Sequence, residues 1–358
     1  MKKLSPILAL LLAVCLLAGC AGTPVIYYTN CTCPTGTPVP ETTKPTQPAE
    51  PVEGALKLGL TITTGIGDSK SATAEADGEG KYDVTIVAVL VDDEGIIRDC
   101  IIDGIAASVK FNAQGKITSD LSAAVSTKNE LGEAYGMVAW GGAIAEWDQQ
   151  AAALANFAIG KTVEELKNGA IDETGKAPAG SDLASSATIY LGGYVAAIES
   201  AVAGAQHLGA QGGDVLKLAV IAGIGSSADA GEKAGNAQLD VDVTALTMNG
   251  ETITACIIDA VQAKVAFDAN GAVTSDLTAA VQTKNQLGEA YGMKAWGGAI
   301  AEWNEQAASF AAYVTGKTAA QVAGIAVNEG TKPTDADLAA SVTIAVGGFQ
   351  ALIAKAAK

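Results

Sequence analysis

Two matching seven-residue segments set hydroxyl side chains beside a carboxylate, just ahead of a glycine pair. Asp182-Leu183-Ala184-Ser185-Ser186-Ala187-Thr188 precedes Gly192-Gly193. Asp337-Leu338-Ala339-Ala340-Ser341-Val342-Thr343 precedes Gly347-Gly348. The chemistry open to such segments is that of a hydroxyl, which attacks an activated group or carries an ester. A threonine hydroxyl is a poor nucleophile alone and needs an adjacent base or an outside enzyme. Small residues let the backbone come close to a phosphate, and a helix starting nearby offers free N–H groups and a favourable dipole. The same letters also read as plain local structure. Asp-Leu-Ala-Ser-Ser is a fair helix start with an Asp N-cap, and Ala-Thr-Ile-Tyr can run on as a strand.

Other chemistries are poorly supplied. His207 is the only histidine, which removes Ser-His-Asp and Cys-His systems and most zinc sites. No catalytic residue and no metal site is assigned. A net charge of −17 argues against nucleic acid, since phosphate binding needs clustered Lys and Arg. Gly160-Lys161-Thr162 is not a phosphate-binding P-loop, because the upstream glycine is missing. Of the six cysteines, Cys31 and Cys33 sit too close for an unstrained bridge and make an incomplete metal site. They read as free or intermolecularly paired thiols. Cys100 and Cys256 occupy matching strand-like runs and read as small buried hydrophobes.

The elements that must position these residues occur twice. Residues 120–152 (DLSAAVSTKNELGEAYGMVAWGGAIAEWDQQAA) return at 276–308 (DLTAAVQTKNQLGEAYGMKAWGGAIAEWNEQAA). A period this long is a duplicated domain rather than a short-period solenoid. The expected boundaries are 54–206 and 215–358, joined by a linker at 207–214. Within the first copy, residues 82–91 (YDVTIVAVLV) read as a strand and 92–95 as a turn. Residues 96–103 read as the antiparallel return, and 107–111 as a further strand. The second copy has Asn249-Gly250 at the turn, a strong hairpin dipeptide. Residues 143–159 read as a helix with Ile144, Trp147, Ala151, Leu154 and Ala158 on its apolar stripe. The partner stripe is Ile300, Trp303, Ala307, Phe310 and Val314. Both stripe tryptophans are expected in the core. Thr162 with Glu165, and Thr318 with Gln321, have capping-box spacing. Last helices are expected at 194–206 and 349–357. The fold class is α+β: two tandem homologous domains, each an antiparallel hairpin sheet with helices packed on it.

Taken together, the two segments resemble the flavinylation motif of FMN-binding domains, Asp-x-x-(Ser/Thr)-(Gly/Ser)-Ala-Thr. The likeness extends in order over both copies, through the hairpin turn, a Leu-Gly segment, the Gly-Lys-Thr turn and the last helix. The resemblance implies FMN bound covalently, its phosphate joined to the final threonine by a separate flavin transferase. It implies Thr188 as the attachment residue, with Asp182, Ser185 and Ser186 completing the motif. Thr343 is the counterpart, with Asp337 and Ser341. Leu131-Gly132 and Leu287-Gly288 correspond to the segment that lines the flavin. Departures are Ser186 where glycine is commoner, and Ala340 and Val342 in the second copy. Near the Leu-Gly pairs, Tyr135 and Tyr291 read either as an aromatic wall or as core tyrosines with the hydroxyl at the rim. Glu133 and Glu289 read as solvated.

The N-terminus reads as an address. Residues 1–19 form a signal peptide with Lys2 and Lys3 ahead of an apolar run too short to span a bilayer. Leu17-Ala18-Gly19-Cys20 resembles the lipobox of bacterial lipoproteins, which implies acylated Cys20. Residues 20–53 are rich in Pro and Thr and read as a semi-extended spacer. The expected protein is a lipoprotein on the outer face of the bacterial cytoplasmic membrane. Its expected role is an electron relay fed by a membrane electron donor, rather than an enzyme that turns over a substrate. The alternative is a non-redox cell-surface binding or structural lipoprotein.

Overall fold

The computed structural model describes residues 54–358. The signal segment, Cys20, Cys31, Cys33 and the spacer lie outside the described residues. The β-branched run around Tyr82 becomes β2 (Gly78–Val91), antiparallel to β3 (Ile97–Phe111). Asp92 Oδ1 closes the turn between them by accepting from Ile96 N at 2.8 Å. An unexpected strand, β1 (Lys57–Gly65), completes the sheet in the order β1-β2-β3. The second half repeats it with β4 (Val215–Gly223), β5 (Gly235–Asn249) and β6 (Thr252–Phe267). The two strands expected at 96–103 and 107–111 are one, running straight through Gly104. A Cβ there would lie 2.8 Å from the Val84 carbonyl oxygen, so this glycine marks close packing rather than a break.

Helices follow each sheet. In the first half they are α1 (Lys128–Leu131), α2 (Met137–Gly141), α3 (Trp147–Ala158), α4 (Val163–Ala170) and α5 (Gly192–Ala203). In the second half they are α6 (Lys284–Leu287), α7 (Met293–Gly297), α8 (Trp303–Val314), α9 (Ala319–Ala323), α10 (Ala336–Ala339) and α11 (Gly347–Ala356). Thr162 and Thr318 cap α4 and α9, accepting from Glu165 N and Gln321 N. The last helices start at the glycine pairs themselves, earlier than expected.

The helix expected at 143–159 begins only at Trp147. Gly142 closes α2 at φ +62°, and Glu146 is extended at φ −68° and ψ 163°. Residues between them leave the helical path, so Ile144 and Ile300 stand 57% and 55% exposed instead of joining the stripe. Trp147 and Trp303 do enter the core.

Both faces of each sheet are covered. Val87, Val89 and Val91 point to the helices, where Trp147, Leu154, Leu166, Leu191 and Ile198 meet them. On the opposite face, Tyr82, Val84 and Ile86 pack with Val241, Val243 and Val265 of the other half. Burial on two sides explains why residues 82–91 alternate only in part. The layers therefore run helices, sheet, sheet, helices, and the halves pack on each other through the sheet faces turned away from the helices.

The junction is reciprocal. Phe111 stacks on Phe267, its equivalent, with ring centroids 3.9 Å apart. Ala72 N donates to Gly271 O and Ala230 N to Gly115 O, both at 2.8 Å. Ile117 N donates to Asp229 Oδ1 at 2.8 Å, while Val273 N donates to Ser71 Oγ at 2.9 Å. Such pairing of like with like is the pattern of an isologous interface.

Candidate functional site

The hydroxyl segments lie on turns directly ahead of α5 and α11. In the first, residues Leu183–Ser185 form a 3-10 turn. Leu183, Ala187 and Leu191 are buried at four-residue spacing and root the turn in the core. Asp182, Ser185, Ser186 and Thr188 are left exposed. The expected Asp N-cap is corrected: Asp182 makes no capping hydrogen bond, and Ala187–Ile189 do not run on as a strand. In the second segment Asp335, not Asp337, caps α10 by accepting from Leu338 N at 3.1 Å. Asp337 and Ser341 are exposed, while Thr343 is half-buried.

One buried side chain fixes each threonine. Gln150, on α3, is wholly buried. Its Oε1 accepts from Thr188 N at 2.7 Å, Ile189 N at 3.1 Å and Thr188 Oγ1 at 3.3 Å. Its Nε2 donates to Ala145 O at 2.8 Å. In the other half Gln306 Oε1 accepts from Thr343 N at 2.8 Å, and from Ile344 N and Thr343 Oγ1 at 3.2 Å each. Gln306 Nε2 donates to Ala301 O at 2.8 Å. Three donors on one atom fix which end of each amide is oxygen.

The Leu-Gly segments are held by their own buried carboxyls. Asp103 Oδ1 accepts from Gly104 N at 2.7 Å and Asn129 N at 3.1 Å, tying the start of α1 to β3. Asp259 does the same for α6, accepting from Ala260 N at 2.7 Å and Asn285 N at 3.0 Å. Burial pushes both carboxyls above the usual range, Asp259 to about 6, against the opposing pull of these hydrogen bonds. Leu131 then ends α1, and Gly132 turns the chain at φ +46°; Gly288 does so after Leu287 at φ +49°.

No hydrogen bond joins the Leu-Gly segments to the threonines. They meet through α3 and α8. Lys128, buried beside Asp83 at 3.1 Å, holds its ammonium 4.9 Å over Trp147 and 5.6 Å over Tyr135. Burial opposes its charge, but Tyr194, Asp83 and Tyr135 outweigh that and raise its pKa. Lys284 sits likewise over Trp303 and Tyr291. Tyr135 and Tyr291 are thus half-buried rings packed on the core, with a face already taken by a lysine. Tyr291 Oη donates to Gln262 Oε1 at 3.2 Å. Glu133 and Glu289 are exposed. Cys100 and Cys256 are free thiols in the core.

Three features were missing from the sequence-based set. Gln150 and Gln306 fall on the apolar stripe of their helices in both copies, which is the signal that marks them. Tyr190 is 59% exposed next to Thr188. It lies against Gly175, where a Cβ would come within 2.3 Å of its ring. Ala345 takes its place in the second half, and Thr331 the place of Gly175, at φ +56°. Trp140 and Trp296 are 90% and 91% exposed on α2 and α7. Their loop is anchored by buried Glu146 and Glu302, which accept two backbone N–H groups each.

Among the described residues no helix is long and apolar enough to cross a membrane. Comparison with protein-family models, curated proteins and solved structures gives no significant match.

Proposed function

We propose that this chain is an extracellular, lipid-anchored flavoprotein built from two copies of one domain, with FMN joined to Thr188 by a phosphoester. Acylated Cys20 holds it at the outer face of the membrane, and the spacer carries the domains outward. A membrane donor reduces the flavin, and the protein relays the electrons to an outside acceptor. FMN supplies the redox chemistry; the protein sets its position, exposure and electrostatic surroundings.

The observation that carries this reading is the state of Thr188. Thr188 is exposed on a small-residue turn whose backbone is pinned from below by Gln150. An outside transferase needs such an acceptor: reachable, yet fixed. Ser185 and Ser186 beside it are also exposed. Thr343 is half-buried, and residue 340 lacks a hydroxyl, so the first half is the one modified.

The test is co-expression of the full chain with a flavin transferase, followed by intact-mass measurement and in-gel fluorescence after denaturation. The expected result is one FMN adduct, lost in Thr188→Ala and retained in Thr343→Ala. Colourless protein without added mass would refute the reading. That outcome would favour a non-redox surface-binding lipoprotein, for which exposed Trp140 and Trp296 provide matching apolar contacts.

A further inference from the structure

We propose that Gln150 is the positioning residue of the Thr188 site: its buried amide oxygen fixes the threonine so that the hydroxyl faces an incoming phosphoryl group. This rests on the flavinylation reading above. A threonine on an irregular turn has several backbone and side-chain conformations to choose from. Here two successive N–H groups, of Thr188 and Ile189, converge on one oxygen at 2.7 and 3.1 Å. That removes the backbone freedom. The hydroxyl shares the same oxygen at 3.3 Å, well beyond the ~2.7–2.8 Å usual for O–H···O. It is therefore oriented but weakly held. Its proton points inward, and its lone pairs are left for the solvent side.

The choice of glutamine over glutamate follows from charge. The acceptor must approach an anionic phosphoryl group. A carboxylate beside Oγ1 would repel that group, whereas a neutral amide accepts the same hydrogen bonds without repulsion. Burial of Gln150 is tolerated because both ends of its amide are satisfied, Nε2 by Ala145 O at 2.8 Å.

The step itself balances as a phosphoryl transfer. A flavin dinucleotide is the donor, bound by the transferase. The Thr188 Oγ1–phosphorus bond forms, the diphosphate bond to the nucleoside monophosphate breaks, and that nucleotide leaves. The weak bond to Gln150 is released as the hydroxyl turns its proton outward, and that proton passes to a base of the transferase. Gln150 neither gains nor loses a proton and only sets geometry.

The experiment uses the full chain with purified transferase and flavin dinucleotide, following adduct formation over time by intact mass. Gln150→Leu, Gln150→Met and Gln306→Leu are compared with the unaltered protein, with near-ultraviolet circular dichroism reporting the fold. Loss of positioning is expected to slow labelling by about 10- to 100-fold in the Gln150 variants. Gln306→Leu removes an identical clamp from the other half and is expected to label Thr188 within about twofold of the unaltered rate, well short of that loss. If Gln150→Leu does not fold, the near-isosteric Gln150→Met carries the comparison. Labelling of a folded Gln150 variant at the unaltered rate would overturn the proposal, as would equal slowing by Gln306→Leu, which would mark a general loss of stability. Failure of the unaltered protein to label would instead overturn flavinylation itself.

Discussion

Replacing Asp259 by Asn should stabilise this protein at neutral pH, although it removes a buried, well-bonded carboxylate. Asp259 is 8% exposed, and burial raises its pKa from 3.8 to about 6. A carboxyl whose folded pKa is raised binds its proton more tightly when folded than when unfolded. Between pH ~4 and ~6 the folded state holds that proton and the unfolded state does not, so stability falls as pH rises through this window. Above it the full cost persists: a shift of about two units at 1.36 kcal/mol each is roughly 3 kcal/mol. Asparagine keeps an oxygen to accept from Ala260 N and Asn285 N while removing the charge. The gain expected at pH 7.5 is about 3 kcal/mol, shrinking to about 1 kcal/mol at pH 4.5. At about 2 °C per kcal/mol, that is a rise of roughly 6 °C in Tm at the higher pH. Thermal unfolding of both proteins at the two pH values measures it. An Asp259→Asn variant less stable than its parent at pH 7.5, or a gain of the same size at pH 4.5, would refute the reasoning.

Two further outcomes follow from packing. Gly59→Ala puts a Cβ 2.1 Å from the Ala201 carbonyl oxygen, so α5 must shift off β1. A loss of about 1–3 kcal/mol is expected in urea unfolding, and no loss would contradict the packing of α5 on β1. Cys100 and Cys256 are 6% and 5% exposed, and burial pushes both thiols up, Cys256 to about 12. Neither should react with a disulfide reagent at pH 8 until the protein unfolds; fast reaction of the native protein would contradict their burial.

The α+β class was legible because the β-branched runs and the apolar stripe around Trp147 carry their own periodicity. Strand β1 was not, since Gly59 reads as a strand breaker and is explained only by the approach of α5. Gly104 also reads as a break, and is explained by the close Val84 carbonyl of β2. Ile144 was drawn into the stripe by its spacing, but the left-handed turn at Gly142 intervenes. The second sheet packed against the first left only a weak trace, the incomplete alternation of residues 82–91. At the candidate site, the sequence displays the hydroxyl segment itself. Its clamp could not, because Gln150 lies thirty-eight residues upstream of the threonine it holds.

Phe111 against Phe267, and the reciprocal bonds around them, would serve equally well between two separate molecules. On a single polypeptide they cannot be parted by dilution, since a short tether keeps the faces at an effective concentration in the millimolar range. The tether also breaks an evolutionary constraint. In a pair of identical subunits every substitution lands on both sides at once, whereas here each side changes alone. Lys355 already pairs with Glu130 across the junction, and the corresponding places hold uncharged Ser200 and Gln286. Each half is thereby free to specialise without the other.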